Sequence, residues 1–194
     1  MSPQRRPLTA LMVVAALAAG CGTTPEPVFY TLATEAGAAS SARTSAISVL
    51  VGPVTLPEAV ERPQIVISTM GNRVEIEEFH RWTEPLSSLV PRVVAAQLGR
   101  QLGTPNTGIS SDVAIADPDF RVFIDIQRFE SRRGGDATVE ALWTVRARGG
   151  KSVTGRTLAR ESAPGSFEAL AAAHGRALAT VSRGIAEAIE SLRR

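Results

Sequence analysis

The chain has 194 residues, of which 44% are hydrophobic, with 21 basic and 19 acidic residues, two histidines and one cysteine. Two basic residues and no acidic residue precede position 21, so the charges balance over the rest of the chain, which excludes the strongly basic surface that nucleic-acid binding requires. A single cysteine excludes an intrachain disulfide and a thiolate zinc site, and the length predicts one domain stabilised by its own core.

Residues 1–20 have the layout of an export signal. Two arginines precede an apolar segment that is too short to span a bilayer permanently, and small residues lead from it to Cys21. The closing residues, Leu-Ala-Ala-Gly-Cys, resemble a bacterial lipobox, with alanine at position 18 where leucine is usual. We therefore predict a lipoprotein signal peptide over residues 1–20 and a diacylglycerol and an N-acyl chain on Cys21, which together form a stable membrane anchor.

A tether over residues 21–27 leads into the predicted domain, residues 28–194. Residues 28–32 can form a first strand, and the run of Ala, Ser and Gly over residues 33–45 has no apolar period and predicts a connection. Alternating apolar residues then predict a strand over residues 47–51 that ends before Gly52-Pro53.

A hairpin is predicted next, across Gly71-Asn72, between strands over residues 65–68 and 73–77. In the second of these strands Val74 and Ile76 alternate with charged residues, which predicts that both face the core.

The period changes to a helical one over residues 83–102, where apolar residues recur every three to four positions. The pattern predicts a helix that lies on the sheet, with Thr83 as a plausible N-cap. Pro91 removes an interior hydrogen bond and predicts a kink or boundary near Ser87 or Ser88.

Three strands, over residues 120–127, 139–147 and 153–161, are predicted to form an antiparallel meander, because each has one apolar face and glycine pairs separate them. Trp143 lies on the inward face of the middle strand. Ser166 then caps a long final helix with an apolar stripe from Leu170 to Leu192. The predicted fold class is mixed α/β, α+β-like, with one mixed β-sheet layered with two long helices.

Four short elements in this order resemble the ABC-type transport auxiliary lipoproteins, the PqiC/YmbA family. They are Phe29-Tyr30-Thr31-Leu32, Val51-Gly52-Pro53-Val54-Thr55-Leu56-Pro57, Arg62-Pro63-Gln64-Ile65-Val66 and Arg81-Trp82-Thr83-Glu84-Pro85-Leu86. The resemblance covers nearly all of the domain and departs from the family pattern at residues 58–61. It implies a sheet layered with helices, similar to the N-terminal domain of TolB.

The resemblance also implies a function. It implies an outer-membrane lipoprotein on the periplasmic face that serves, without enzymatic activity, an MCE-type or ABC-type system moving lipid between two membranes. The implied partners are a periplasmic MCE-domain protein and an inner-membrane permease. The sequence leaves open whether the chain also forms a homo-oligomer. An outer-membrane lipoprotein of another envelope machine, of lipopolysaccharide or pilus type, is the alternative, and an envelope hydrolase is a weaker one.

The candidate partner-binding residues are Arg62, Arg81 and Trp82, because arginine and aromatic side chains are the usual anchors of interfaces. A tryptophan just before a helix more often packs beneath its first turn, and we favour this structural role for Trp82. A turn that sets the backbone is likewise the favoured interpretation of Arg62.

Catalytic residues, a metal site and a cofactor beyond the lipid on Cys21 are not predicted. Nucleophilic and metal chemistry need a base oriented by a third group or clustered ligands, whereas the chain offers two histidines and no thiol other than Cys21. We interpret His80 as a surface histidine near acidic neighbours and His174, on the stripe of the last helix, as a packed histidine.

Overall fold

The computed structural model describes residues 25–32, 45–111 and 115–194. The predicted signal peptide, Cys21 and most of the connection predicted over residues 33–45 lie outside the described residues. The described elements are β1 (Val28–Tyr30), β2 (Val49–Thr55), a 3₁₀ turn (Glu58–Val60), β3 (Gln64–Ser68), β4 (Val74–Trp82), α1 (Leu86–Leu102), β5 (Thr107–Ile109), β6 (Phe120–Ser131), β7 (Asp136–Ala147), β8 (Ser152–Ser162) and α2 (Phe167–Leu192).

These eight strands form one mixed sheet, which confirms the predicted fold class. The central strand is β6: it is antiparallel to β7 along its length, and its other edge is parallel first to β2 and then, at its end, to β3. Strand β8 extends the meander beyond β7, β5 lies parallel to β2, and β4 links β3 to β1. The meander and its order are as the alternation predicted.

Both helices pack against one face of the sheet and against each other. Helix α1 contacts β2 and β5, and helix α2 contacts β7 and β8. Trp143 is buried on this face, as predicted, and so are Leu170, His174 and most of the predicted stripe of α2. The Ser166 hydroxyl accepts a hydrogen bond from the Ala169 N–H, which confirms the predicted N-cap. We call the opposite face, which carries the exposed Leu142 and Leu158, the open face.

The predicted start of α1 was wrong. Strand β4 continues to Trp82, and the Thr83 N–H donates to the Tyr30 carbonyl of β1, so Thr83 is tied to the end of the sheet and does not cap the helix. The N-cap position is Pro85, which has no side-chain oxygen to offer, and the Glu61 carboxylate instead accepts from the Ser87 N–H at 3.0 Å. The helix then continues through Pro91 to Leu102 as one element.

Strand β2 also differs from the prediction, because it continues through a cis Gly52-Pro53 bond to Thr55, with a register shift between Val51 and Val54. The short strand β5 was not predicted.

The predicted facing of Val74 and Ile76 was wrong as well. Both are exposed, because the register places Glu77 opposite Ile65 and Ile76 opposite Val66, so the glutamates share the helix-covered side with the buried isoleucines. The pairing then becomes irregular: Ile65 lies opposite Glu77, but the preceding residue of β3, Gln64, lies opposite Arg81, so β4 has three extra residues at this point. These extra residues invert the alternation, so Trp82 points inward although it is an even number of residues from Ile76.

Candidate partner-binding site

Three of the four sequence elements meet where β1, β3 and β4 lie side by side. Parallel pairing of β1 and β4 places Phe29 beside Arg81 and Tyr30 beside Trp82. The Trp82 N–H donates to the Pro63 carbonyl at 2.7 Å, which brings in the third element. We call this region, made of Phe29-Tyr30, Arg62-Pro63 and Arg81-Trp82, the motif junction.

Trp82 faces the interior of the motif junction. Its side chain is only 4% exposed, and its ring makes edge contacts with Phe129 and His174, each at 6.3 Å between ring centroids. The indole therefore packs in the core against β6 and α2, and its ring is not presented to a partner.

The two arginines of the motif junction differ in their hydrogen bonds. Arg81 keeps 36% of its side chain exposed, with Nε donating to the Glu78 carbonyl at 2.8 Å and the guanidinium 3.8 Å from the Glu78 carboxylate. Arg62 is half-buried, and its Nε is buried without a hydrogen-bond partner among the described residues. The Nε of Arg81 therefore has a hydrogen-bond acceptor, whereas the Nε of Arg62 has none among the described residues.

The sequence did not identify Phe29 as a partner-binding residue. Its side chain is nevertheless 58% exposed, more than that of Tyr30 or Trp82, the other aromatic residues of the motif junction. It alternates with Tyr30, which is buried on the helix-covered side, so Phe29 and its neighbour Arg81 both point to the open face. The two-residue period of the first strand was the available signal, but three residues are too few to show which face is inward.

On the helix-covered side, an aromatic contact joins the motif junction to the start of α2. The Tyr30 hydroxyl and His80 Nδ1 are 2.8 Å apart, and the imidazole stacks on Phe167 with centroids 3.8 Å apart. Burial, and secondarily the charge of Glu168, raises the pKa of Tyr30, so its hydroxyl stays protonated at neutral pH. His80 thus contributes to the packing of β4 against α2.

Glu168 lies in the first turn of α2, close to this contact. Its own backbone N–H, then the Ser166 hydroxyl and the nearby His80 lower the pKa of its carboxyl group, as expected for an acid at a helix N-terminus.

The second histidine, His174, is enclosed in the core. Its Nε2 lies 2.8 Å from the Ser131 hydroxyl, and its ring stacks on Phe129 with centroids 3.9 Å apart. Burial alone lowers its pKa to about 3, so it is neutral at physiological pH. A serine and histidine pair sealed from solvent cannot reach a substrate.

The fourth element, with Gly52 and Pro53, lines a groove beside the first turns of α1. Ser88, Arg92 and Ser110 complete its wall, and Arg92 pairs with Glu84. Within the described ranges no group of three or more candidate ligand side chains could hold a metal ion, and no described helix is long and apolar enough to cross a membrane.

The fold and the site define a two-layer mixed α/β domain whose candidate site is made of contact residues on an open sheet face. Residues 30–186 match the family described as ABC-type transport auxiliary lipoprotein component, and the chain belongs to this family. It is thus an auxiliary lipoprotein of ABC-type transport.

Solved structures share its fold. One crystal structure, of an uncharacterized protein, is 17% identical, with a TM-score of 0.68 over 85% of this chain and 99% of that one. Another, of a DUF330 protein from Xanthomonas campestris, is 16% identical, with a TM-score of 0.64 over 86% of this chain and 97% of that one. No curated protein matches the sequence.

Proposed function

We propose that this lipoprotein is anchored through Cys21 in the outer membrane, faces the periplasm, and acts without catalysis as the accessory component of an intermembrane lipid transport system. Its family membership supports the transport role. The observation that carries the contact role is the exposed Phe29 beside the partly exposed Arg81 on the open face of the motif junction. The partners would be a periplasmic MCE-domain protein and, through it, an inner-membrane permease.

The chemistry of this pair suits a protein partner. Phe29 offers a large apolar surface, and Arg81 offers a cation whose nearest carboxylate, Glu78, is 3.8 Å away and itself exposed. Aromatic and arginine side chains dominate the energetics of interfaces when a partner removes them from water.

Replacing Phe29 or Arg81 with alanine is expected to weaken association with the MCE-domain partner by about 2 kcal/mol, roughly 30-fold in Kd, which is the scale of an interface hot spot. The measurement is the affinity of the purified pair. Leu158→Ala is the matched control, because Leu158 is also an exposed apolar residue of the open face but lies on β8. Equal affinities for all three variants would contradict a contact at the motif junction. In a separate purification from membranes, recovery only of lipopolysaccharide or pilus proteins would favour the alternative machine.

Replacing Cys21 with serine is expected to abolish lipidation, because the chain has no other thiol. Metabolic labelling with an acyl-chain analogue, followed by separation of inner and outer membranes, measures both the modification and the location. Thr23→Ser is the control, since it makes a small change beside the cysteine and leaves the thiol in place. Label retained by Cys21→Ser would overturn the proposed anchor, and label confined to the inner membrane would overturn the proposed location.

A further inference from the structure

Two turns lie together at one end of the domain. Ile67 of β3 pairs in parallel with Ser131 of β6, so the C-terminal ends of both strands lie at the same end of the sheet. The β3–β4 turn, residues 69–73, and the β6–β7 turn, residues 132–135, follow these strand ends and line one shared groove. We call these two turns the hairpin end.

The hairpin end and the adjoining start of β4 expose three apolar side chains. Met70, in the β3–β4 turn, is 94% exposed, the highest value of any large hydrophobic residue described. Val74 and Ile76 continue from it along the open face, at 59% and 43% exposure. A row of exposed apolar side chains that begins at a projecting methionine marks a surface that meets an apolar environment.

The direction of β1 relates this end to the lipid anchor. Since β1 runs parallel to β4, the chain that precedes Val28 arrives from the side on which β4 begins, which is the side of the β3–β4 turn. Arg81 pairs with Gln64 and Val74 pairs with Ser68, so these two positions of β4 are separated by four residues of β3, about 13 Å along the strand. Cys21 is seven residues before Val28, a span of up to about 25 Å, so the tether can place the anchored cysteine level with Met70 or beyond it.

The charges of the hairpin end also suit a bilayer that contains anionic lipid. Arg73 and Arg132 are exposed and form no ion pair among the described residues. The acidic side chains nearby are paired: Glu75 and Glu77 with Arg133, and Asp136 with Arg160 at 2.9 Å. Unpaired arginines beside a projecting apolar residue are typical of peripheral membrane contacts, because headgroup phosphates attract them.

We infer that the hairpin end rests on the lipid surface in which Cys21 is anchored, with Met70 in the interfacial layer and Arg73 and Arg132 at the headgroups. This inference rests on the proposed lipidation of Cys21. It gives the domain a fixed orientation, in which one end contacts the bilayer and the β7–β8 turn at the other end points away from it.

The test uses the mature lipidated protein of the Met70→Cys variant. Once Cys21 is acylated, position 70 carries the only free thiol, which is labelled with an environment-sensitive fluorophore. The protein is reconstituted in vesicles of phosphatidylethanolamine and phosphatidylglycerol, with and without spin-labelled lipids that quench at shallow depth. Lys151→Cys is the matched control, because Lys151 is also exposed in a turn but lies between β7 and β8, at the opposite end.

The label at position 70 is expected to show blue-shifted emission and quenching by the spin-labelled lipids, whereas the label at position 151 shows neither. Protein that floats with the vesicles but gives the same aqueous emission from both positions would overturn the inference while leaving the anchor intact. Blue-shifted emission at position 70 without quenching by lipid would overturn it too, and would indicate that protein covers Met70. Protein that does not float with the vesicles would instead contradict the lipid anchor of the proposed function.

Discussion

Replacing Trp143 with alanine is expected to lower the free energy of unfolding by about 3 to 5 kcal/mol, the cost of deleting a large aromatic side chain from a core. Trp143 is 7% exposed on β7, beneath the helices, and its Nε1–H donates to the Thr157 hydroxyl at 3.0 Å. The variant loses this apolar burial and leaves a cavity between β7, β8 and α2.

Denaturant unfolding of the wild type and the variant measures this difference. The control is Leu142→Ala, because Leu142 is the neighbouring residue on the same strand but is 42% exposed on the open face. That variant is expected to change stability by about 0.5 kcal/mol or less, as surface substitutions do. Similar losses for both variants would show that the helix-covered face of β7 is not the one that carries the core.

A double-mutant cycle tests the same packing from the other strand. A Cβ atom on Gly155 of β8 would lie 2.3 Å from the Trp143 ring, so Gly155→Ala is expected to destabilise the protein when the indole is present. In the Trp143→Ala background the added methyl group meets no ring and its cost falls. Additive losses would contradict direct packing of the indole on Gly155.

Acidification from pH 7 to pH 5 is expected to cost about 2 kcal/mol of stability through His174 alone. Burial lowers the pKa of His174 to about 3 in the folded state, below the ordinary value of 6.5 that applies when the chain is unfolded. The unfolded chain therefore binds more protons between these two values. Stability falls as the pH drops through 6.5 and continues to fall until about pH 3.

His174 contacts Phe129, Trp82 and the Ser131 hydroxyl, none of which is charged near neutral pH. Unfolding free energies of the wild type and His174→Gln, measured across this pH range, isolate the contribution of His174 as the difference between two curves. His80→Gln is the control. This variant is expected to lose stability on acidification as the wild type does, because His174 remains. Parallel curves for the wild type and His174→Gln would contradict the buried neutral imidazole.

Much of the fold could be predicted because its largest elements have long, regular patterns. The meander strands alternate over residues 120–127, 139–147 and 153–161, and α2 repeats its apolar stripe over most of its 26 residues. Patterns of this length leave one face that can be buried. Short elements carry too little pattern, and β5, with three residues, was accordingly missed.

The candidate site could be predicted only in part. Arg81 and Trp82 were identified from residue type and position, but the sequence did not indicate that the Trp82 ring contacts Phe129 and His174. Phe29 was missed, because whether it or Tyr30 faces outward depends on which strand pairs with β1.

The sequence by itself determined the two helices and the faces of the meander strands, and it predicts an export signal that ends at the single cysteine, because each depends on neighbouring residues or on a regular period. The tertiary structure decided what depends on pairing between distant segments. The register of β3 against β4 turned Val74 and Ile76 outward, and the parallel pairing of β1 with β4 assembled the motif junction. Register cannot be read along one strand, because a shift of one residue in the pairing exchanges its two faces, and only the partner strand fixes which face is buried.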